Sequence, residues 1–116
     1  MTRKIMVHGY GMEDVAMIVR ALSDALGQPI GFISACGRGS EHVSDILSKA
    51  PREPLTDAQP KVLMFIDFDD DSIYDSMMAF PDGGGIERPI FCMPTDDNVT
   101  WSLSQLLEHL EAERGG

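Results

Sequence analysis

At 116 residues the chain has the length of one domain and can bury roughly two-thirds of the surface its unfolded form exposes, so it needs no staple to hold a core. Nineteen acidic against nine basic side chains give a formal charge of −10, a field that repels phosphate backbones and anionic lipid and argues against nucleic acid and membrane as partners. No apolar run reaches the length of a signal peptide or a membrane span, and Cys36 and Cys92 read as reduced thiols, which together predict a cytoplasmic protein.

Lys4 to His8 is a short apolar run closed by Gly9-Tyr10-Gly11, and it predicts the first strand. Val15, Ile18, Val19, Leu22 and Leu26 then recur at three- and four-residue spacing, the mark of an amphipathic helix that Gly27 ends. A second strand spans about 30 to 35. Cys36-Gly37-Arg38-Gly39-Ser40 turns into a short helix with Val43, Ile46 and Leu47 inward and Ser40 as its N-cap. Residues 51–60 hold three prolines and no periodicity, so they read as a linker.

Lys61 to Asp67 contains five consecutive apolar residues, as expected of a central strand covered on both faces. The next helix starts within Asp69-Asp70-Asp71-Ser72 and sets Ile73, Met77 and Phe80 on one side. Pro81 to Gly85 is a flexible loop. Pro89 to Met93 predicts the fourth strand. After Thr100 as cap, Leu103, Leu106, Leu107 and Leu110 form the stripe of a last helix that Trp101 locks onto the sheet.

The order of elements is β-α-β-α twice over. Pro29-Ile30 and Pro89-Ile90 lie sixty positions apart, as do Val43 to Leu47 and Leu103 to Leu107, whereas Lys4 and Lys61 lie fifty-seven apart. Gly83-Gly84-Gly85 matches the difference as a three-residue insertion. The pattern predicts a single three-layer α/β domain over 1–116, with pseudo-repeats at 4–50 and 61–113 joined by the linker. Its four-stranded, mainly parallel sheet takes the order 2-1-3-4, with helices on both faces and a pseudo-twofold axis between strands one and three. The reversal of winding between those strands makes the crevice at their carboxyl ends the expected ligand position.

Pro94-Thr95-Asp96-Asp97-Asn98-Val99-Thr100-Trp101-Ser102-Leu103, running on through Leu106, Leu107 and Leu110 to Glu113, resembles a small bacterial family, domain of unknown function 3783. That family looks like a strand, a short helix, a second strand and then a Pro-Thr, Asn and Trp turn opening a Leu-rich helix. The likeness covers Lys61 to Glu113. Members often carry a basic residue after the Asn where this chain has Val99. The resemblance implies a bacterial protein and brings no activity with it.

If the four loops after the strands share one rim, each feeds a helix start, where unpaired N–H groups favour anions. Gly37, Arg38, Gly39 and Ser40 make the best anion cradle, with Tyr10 across the crevice. Asp67, Asp69, Asp70 and Asp71, with Asp96 and Asp97 in the matching loop, crowd oxygen ligands that could hold Mg²⁺ or Ca²⁺ or cap their helices, and Thr95 and Asn98 read as turn-makers whose side chains bond backbone groups. Asp67 at the end of its strand is similar to the phosphoacceptor position of response-regulator receivers, but those carry an acidic pair after strand one, where this chain has His8 to Gly11. Asp14 stands where a dinucleotide fingerprint needs its third glycine, so no nucleotide cofactor is expected. Cys36 has Arg38 and His42 near it in sequence but no base that the spacing places in reach. His8, His42 and His109 form no zinc spacing with the cysteines.

With no complete catalytic, metal or cofactor set, the chain reads as a non-enzymatic module that binds a protein partner or forms a homodimer. The alternative is a small-anion or divalent-metal domain with its site at the carboxyl ends of strands one and three.

Overall fold

Short apolar runs alternate with amphipathic stretches, and a computed structural model, which describes residues 3–115, turns that alternation into eight main elements. They are β1 (Lys4–His8), α1 (Met12–Leu26), β2 (Gly31–Ser34), α2 (Val43–Lys49), β3 (Val62–Ile66), α3 (Asp70–Ala79), β4 (Ile90–Cys92) and α4 (Leu103–Gly115). Brief 3-10 turns occur at Asp82–Gly84 and Asn98–Thr100. The strands form one sheet in the order β2-β1-β3-β4, as the sequence predicts.

Two of the three pairings, β1 with β2 and β3 with β4, are parallel. The central pair is antiparallel, with Met6 opposite Met64 in the middle of its ladder. This overturns the single rim expected for the four loops. A twofold axis between two neighbouring strands and normal to their sheet reverses strand direction, so the carboxyl ends of β1 and β3 lie at opposite edges. Right-handed β-α-β units that wind outward from antiparallel neighbours also put their helices on one face. Ile5, Val7, Leu63 and Phe65 accordingly pack with Val15, Ile18 and Leu22 of α1 and with Phe80 beyond α3. Met6, Ile33, Val62 and Met64 pack on the other face with Val43 and Ile46 of α2 and Leu103, Leu106 and Leu110 of α4.

The ladders refine the spacing of the two halves. β1 and β3 are both five residues long and correspond at fifty-eight positions. The pairs Lys4–Gly31 and Val62–Ile90 set β2 and β4 at fifty-nine. An isolated bridge, His42 to Ser102, falls at sixty. α3 has ten residues against fifteen in α1, and Gly83 and Gly84 lie in the 3-10 turn that follows it, closed by Gly85 at φ 91°. The helix stops at Ala79 because Phe80, at φ −56° and ψ 129°, precedes Pro81, and the residue before a proline is pushed out of the helical region.

Helix ends differ from the sequence reading in two places. His42, not Ser40, caps α2, and it does so without a side-chain bond. Ser102, not Thr100, opens α4: its hydroxyl accepts from the Gln105 N–H at 3.3 Å while the Gln105 side chain accepts from the Ser102 N–H at 3.1 Å. Gly27 ends α1 in the left-handed conformation, φ 67°, as expected. The buried positions of α3 are Ser72 and Ser76, with Ile73 and Met77 only partly covered. Ser72 and Ser76, one turn apart, are the small residues on the buried side of α3, which lies beside α1.

Candidate functional site

The β2 end of the sheet is closed. Residues 51–60 are not a free linker but a strap laid over the outer edge of β2 and the carboxyl end of β1, gripped through its main chain. The Pro51 carbonyl accepts from the Ser34 N–H at 2.6 Å, and the Pro54 carbonyl accepts from the Ser34 hydroxyl. The Glu53 carbonyl takes Arg38 at 2.6 Å, the Thr56 carbonyl takes the Cys36 thiol at 3.6 Å, and His8 Nδ1 lies 2.7 Å from the Pro60 carbonyl. At the far end of the strap the buried Lys61 ammonium donates to the Gly9 and Ala58 carbonyls and pairs with Asp57.

Five of the residues assigned to a ligand from sequence lie at this end. Tyr10 is fully buried, its hydroxyl donating to the Glu87 carbonyl and its ring 5.4 Å from the Lys61 ammonium. Arg38 is spent on the strap and on Glu41 at 3.1 Å. Gly37, at φ 72°, and Ser40 are exposed. Gly39 lies against α4, its carbonyl accepting from the Ser104 N–H. The turn therefore joins the strap to the start of α4.

The other four, Asp67, Asp69, Thr95 and Asn98, stand at the opposite end, beyond β3 and β4. The structure thus brings Thr95 and Asn98 together but separates them from Tyr10 and Arg38. Asp69 caps α3, its carboxylate accepting from the Ser72 N–H at 2.7 Å, and hydrogen bonding to Ser72, aided by Arg3 at 3.6 Å, holds its pKa below the usual 3.8. Asp67 is exposed with φ 63°. Among the described residues no three His, Cys, Asp or Glu side chains are grouped to hold a metal ion. Thr95 and Asn98 bind each other: the Thr95 N–H donates to the Asn98 side chain at 2.8 Å, the Asn98 N–H donates to the Thr95 hydroxyl at 3.0 Å, and the Asn98 amide donates to the Met93 carbonyl at 3.0 Å.

That turn borders a cleft of about 680 Å³ on the outer side of β4. Its floor is Phe65, Phe91, Cys92 and Met93, and Ile73 and Met77 of α3 form one wall. Trp101, Leu106, His109 and Leu110 form the other, with Asp97 and Glu113 at the margin. Trp101 packs on the His109 ring, centroids 5.0 Å apart, and His109 Nε2 lies 2.9 Å from the Glu113 carboxylate. Burial pushes the Cys92 thiol up to about 12. Both cysteines are free, and Cys36 is buried.

Sequence reasoning missed this cleft. Its apolar residues, including Met77 and Trp101, all read as core or as helix anchors. The usable signal was Pro89 to Met93, a strand too short to cover the two helices beside it.

The site therefore belongs to an α/β protein with a mixed sheet and no helix, among the described residues, that is long and apolar enough to cross a membrane. Residues 61–115 match the model of the family described as Domain of unknown function (DUF3783). The matched segment contains every residue that lines the cleft, and none of the strap. No curated protein and no solved structure matches the chain.

Proposed function

We propose that this chain is a non-enzymatic protein-interaction module of the bacterial cytoplasm, a single domain made of two copies of one β-α-β-α unit, and that its partner docks in the cleft along β4. One observation carries the reading. Ile90 donates to the Lys61 carbonyl, so the strand's alternation turns the N–H groups of Phe91 and Met93 away from β3, toward an edge with no further strand among the described residues. A sheet edge beside an apolar cleft is the setting in which an extended peptide adds its own strand. Met93, 46% exposed at that edge, suits such a surface because its thioether is soft and adaptable. The charge of −10 opposes pairing with a second copy and favours a different partner.

A photo-crosslinking amino acid placed at position 93 in living cells, with position 24 on exposed α1 as control, tests the reading. The expected outcome is a discrete protein adduct from position 93 alone. Identical patterns from both positions, or none, refute it.

A further inference from the structure

The two ends of the sheet are built to one plan and closed differently. In the first half α2 stops at Ala50, which adopts the left-handed conformation at φ 49°, and the chain leaves as the strap. The strap's first anchor is the outward N–H of Ser34, the β2 residue paired with Val7. In the second half the counterpart of Val7, fifty-eight positions on, is Phe65, and the β4 position beside it is Met93, one step past the Met64–Cys92 pair. The Met93 N–H thus stands where the Ser34 N–H stands. Leu110, the counterpart of Ala50 at the offset of sixty, continues in helix, so α4 runs on and no described segment crosses the end of β4. The cleft at Phe65, Phe91 and Met93 is the counterpart of the seat that the strap fills.

Resting on the proposed partner-binding role, we infer that the cleft takes an extended, proline-containing, basic segment of a partner protein, held through its carbonyls as the strap is held. The strap supplies the template. Its prolines at 51, 54 and 60 suit a chain that gives carbonyls and needs few donors, since proline has no N–H and favours extended neighbours. The charge of the occupant follows from the margin, where Asp97 is exposed and Glu113 lies beside His109, and from the acidity of the whole chain. A proline-containing segment also keeps its extended form when free and so loses little entropy on docking.

Trp101 is the sole tryptophan and lines the cleft, so its emission reports occupancy of this site. A phage-displayed library of random 12-residue peptides is selected on the intact protein and counter-selected on the Met93→Arg, Asp97→Lys double variant, both positions being exposed. Expected are peptides with proline and net positive charge that shift Trp101 emission, weaken with added salt and bind the double variant at least about tenfold less tightly. Peptides that shift Trp101 emission and depend on Met93 but are helical or acidic overturn this inference and leave the docking cleft standing. No peptide enriched over the double variant overturns both.

Discussion

His42 and Ser102 stand opposite each other in an antiparallel bridge, sixty positions apart in the chain. The Val43 N–H donates to the Trp101 carbonyl at 2.9 Å, and the Leu103 N–H donates to the Glu41 carbonyl at 2.8 Å. The loops that leave β2 and β4 at opposite edges of the sheet therefore meet over the middle of one face, above the Met6–Met64 pair. Each loop satisfies an N–H at the start of the other's helix, which makes the two halves share one structural joint.

Corresponding positions at this joint carry unequal loads. Ser102 and Gln105 bond reciprocally, whereas His42 is exposed and bonds nothing with its side chain at the start of α2. Ser102→Ala removes a capping box and should cost about 1 kcal/mol, while His42→Ala should fall within about 0.5 kcal/mol of the parent. Urea unfolding of both variants checks the difference, and equal midpoints refute it.

Two glycines with positive φ separate conformational strain from steric exclusion. Gly9, at φ 92°, would place a Cβ 2.5 Å from the Ala58 carbonyl oxygen and 2.8 Å from that of Pro60, both main-chain atoms of the strap. Gly27, at φ 67°, has nothing within 4 Å. Gly27→Ala should cost about 1 kcal/mol through the left-handed penalty alone, and Gly9→Ala about 3 kcal/mol or more, because the strap must lift. Thermal melting with limited proteolysis distinguishes them: only Gly9→Ala should open residues 51–60 to cleavage.

The same strap marks what the sequence conceals. Five apolar residues in a row at 62–66 announce a covered central strand, and the 3.6-residue spacing from Val15 to Leu26 announces a helix, because burial leaves those periods in the residues themselves. Strand order was legible from the two-part pattern, but the direction of β3 against β1 was not, since an apolar run reads the same either way. Residues 51–60 gave little sign of docking because the strap is held mostly by main-chain groups, chiefly its carbonyls and the Ala58 N–H, which every sequence has. Ser72 and Ser76 leave no apolar signal in the sequence, although both are buried. The cleft was hidden for a related reason: Phe91, Met93 and Trp101 are apolar, and apolar residues are assigned to a core until an edge is known to be open.

Lys61 is the strap's clasp. Its side chain is 6% exposed, its ammonium reaches two carbonyls and lies over Tyr10, whereas its partner Asp57 is 80% exposed. Lys61→Met keeps the apolar stem but takes a charged donor from the Gly9 and Ala58 carbonyls, leaving Gly9 only the Ala58 N–H, at about 1 kcal/mol, and trypsin should then cut faster after Arg52. Asp57→Asn removes only a solvent-facing charge and should cost less than about 1 kcal/mol. If the two variants prove equally stable and equally resistant to trypsin, the carbonyl contacts do not hold the strap.

Cys92 couples the cleft to alkaline pH. Its thiol ordinarily ionises near 9.0, but burial holds the folded-state value at about 12, so the folded chain keeps a proton that the unfolded chain releases. With the folded pKa raised, the thiol's contribution to stability is intact below pH 9 and declines as pH climbs from 9 toward 12. Cys92→Ala loses packing at every pH but should remove that slope, so the stability gap between parent and variant narrows between pH 9 and pH 11. Measuring urea midpoints of both proteins across this interval isolates Cys92 from the lysines and tyrosines they share. Alkylation by iodoacetamide at pH 8.5 gives a second reading: Cys92 should react far more slowly than a free thiol and quicken only in denaturant, and prompt labelling in the folded protein would show that the cleft floor is wet and the thiol ordinary.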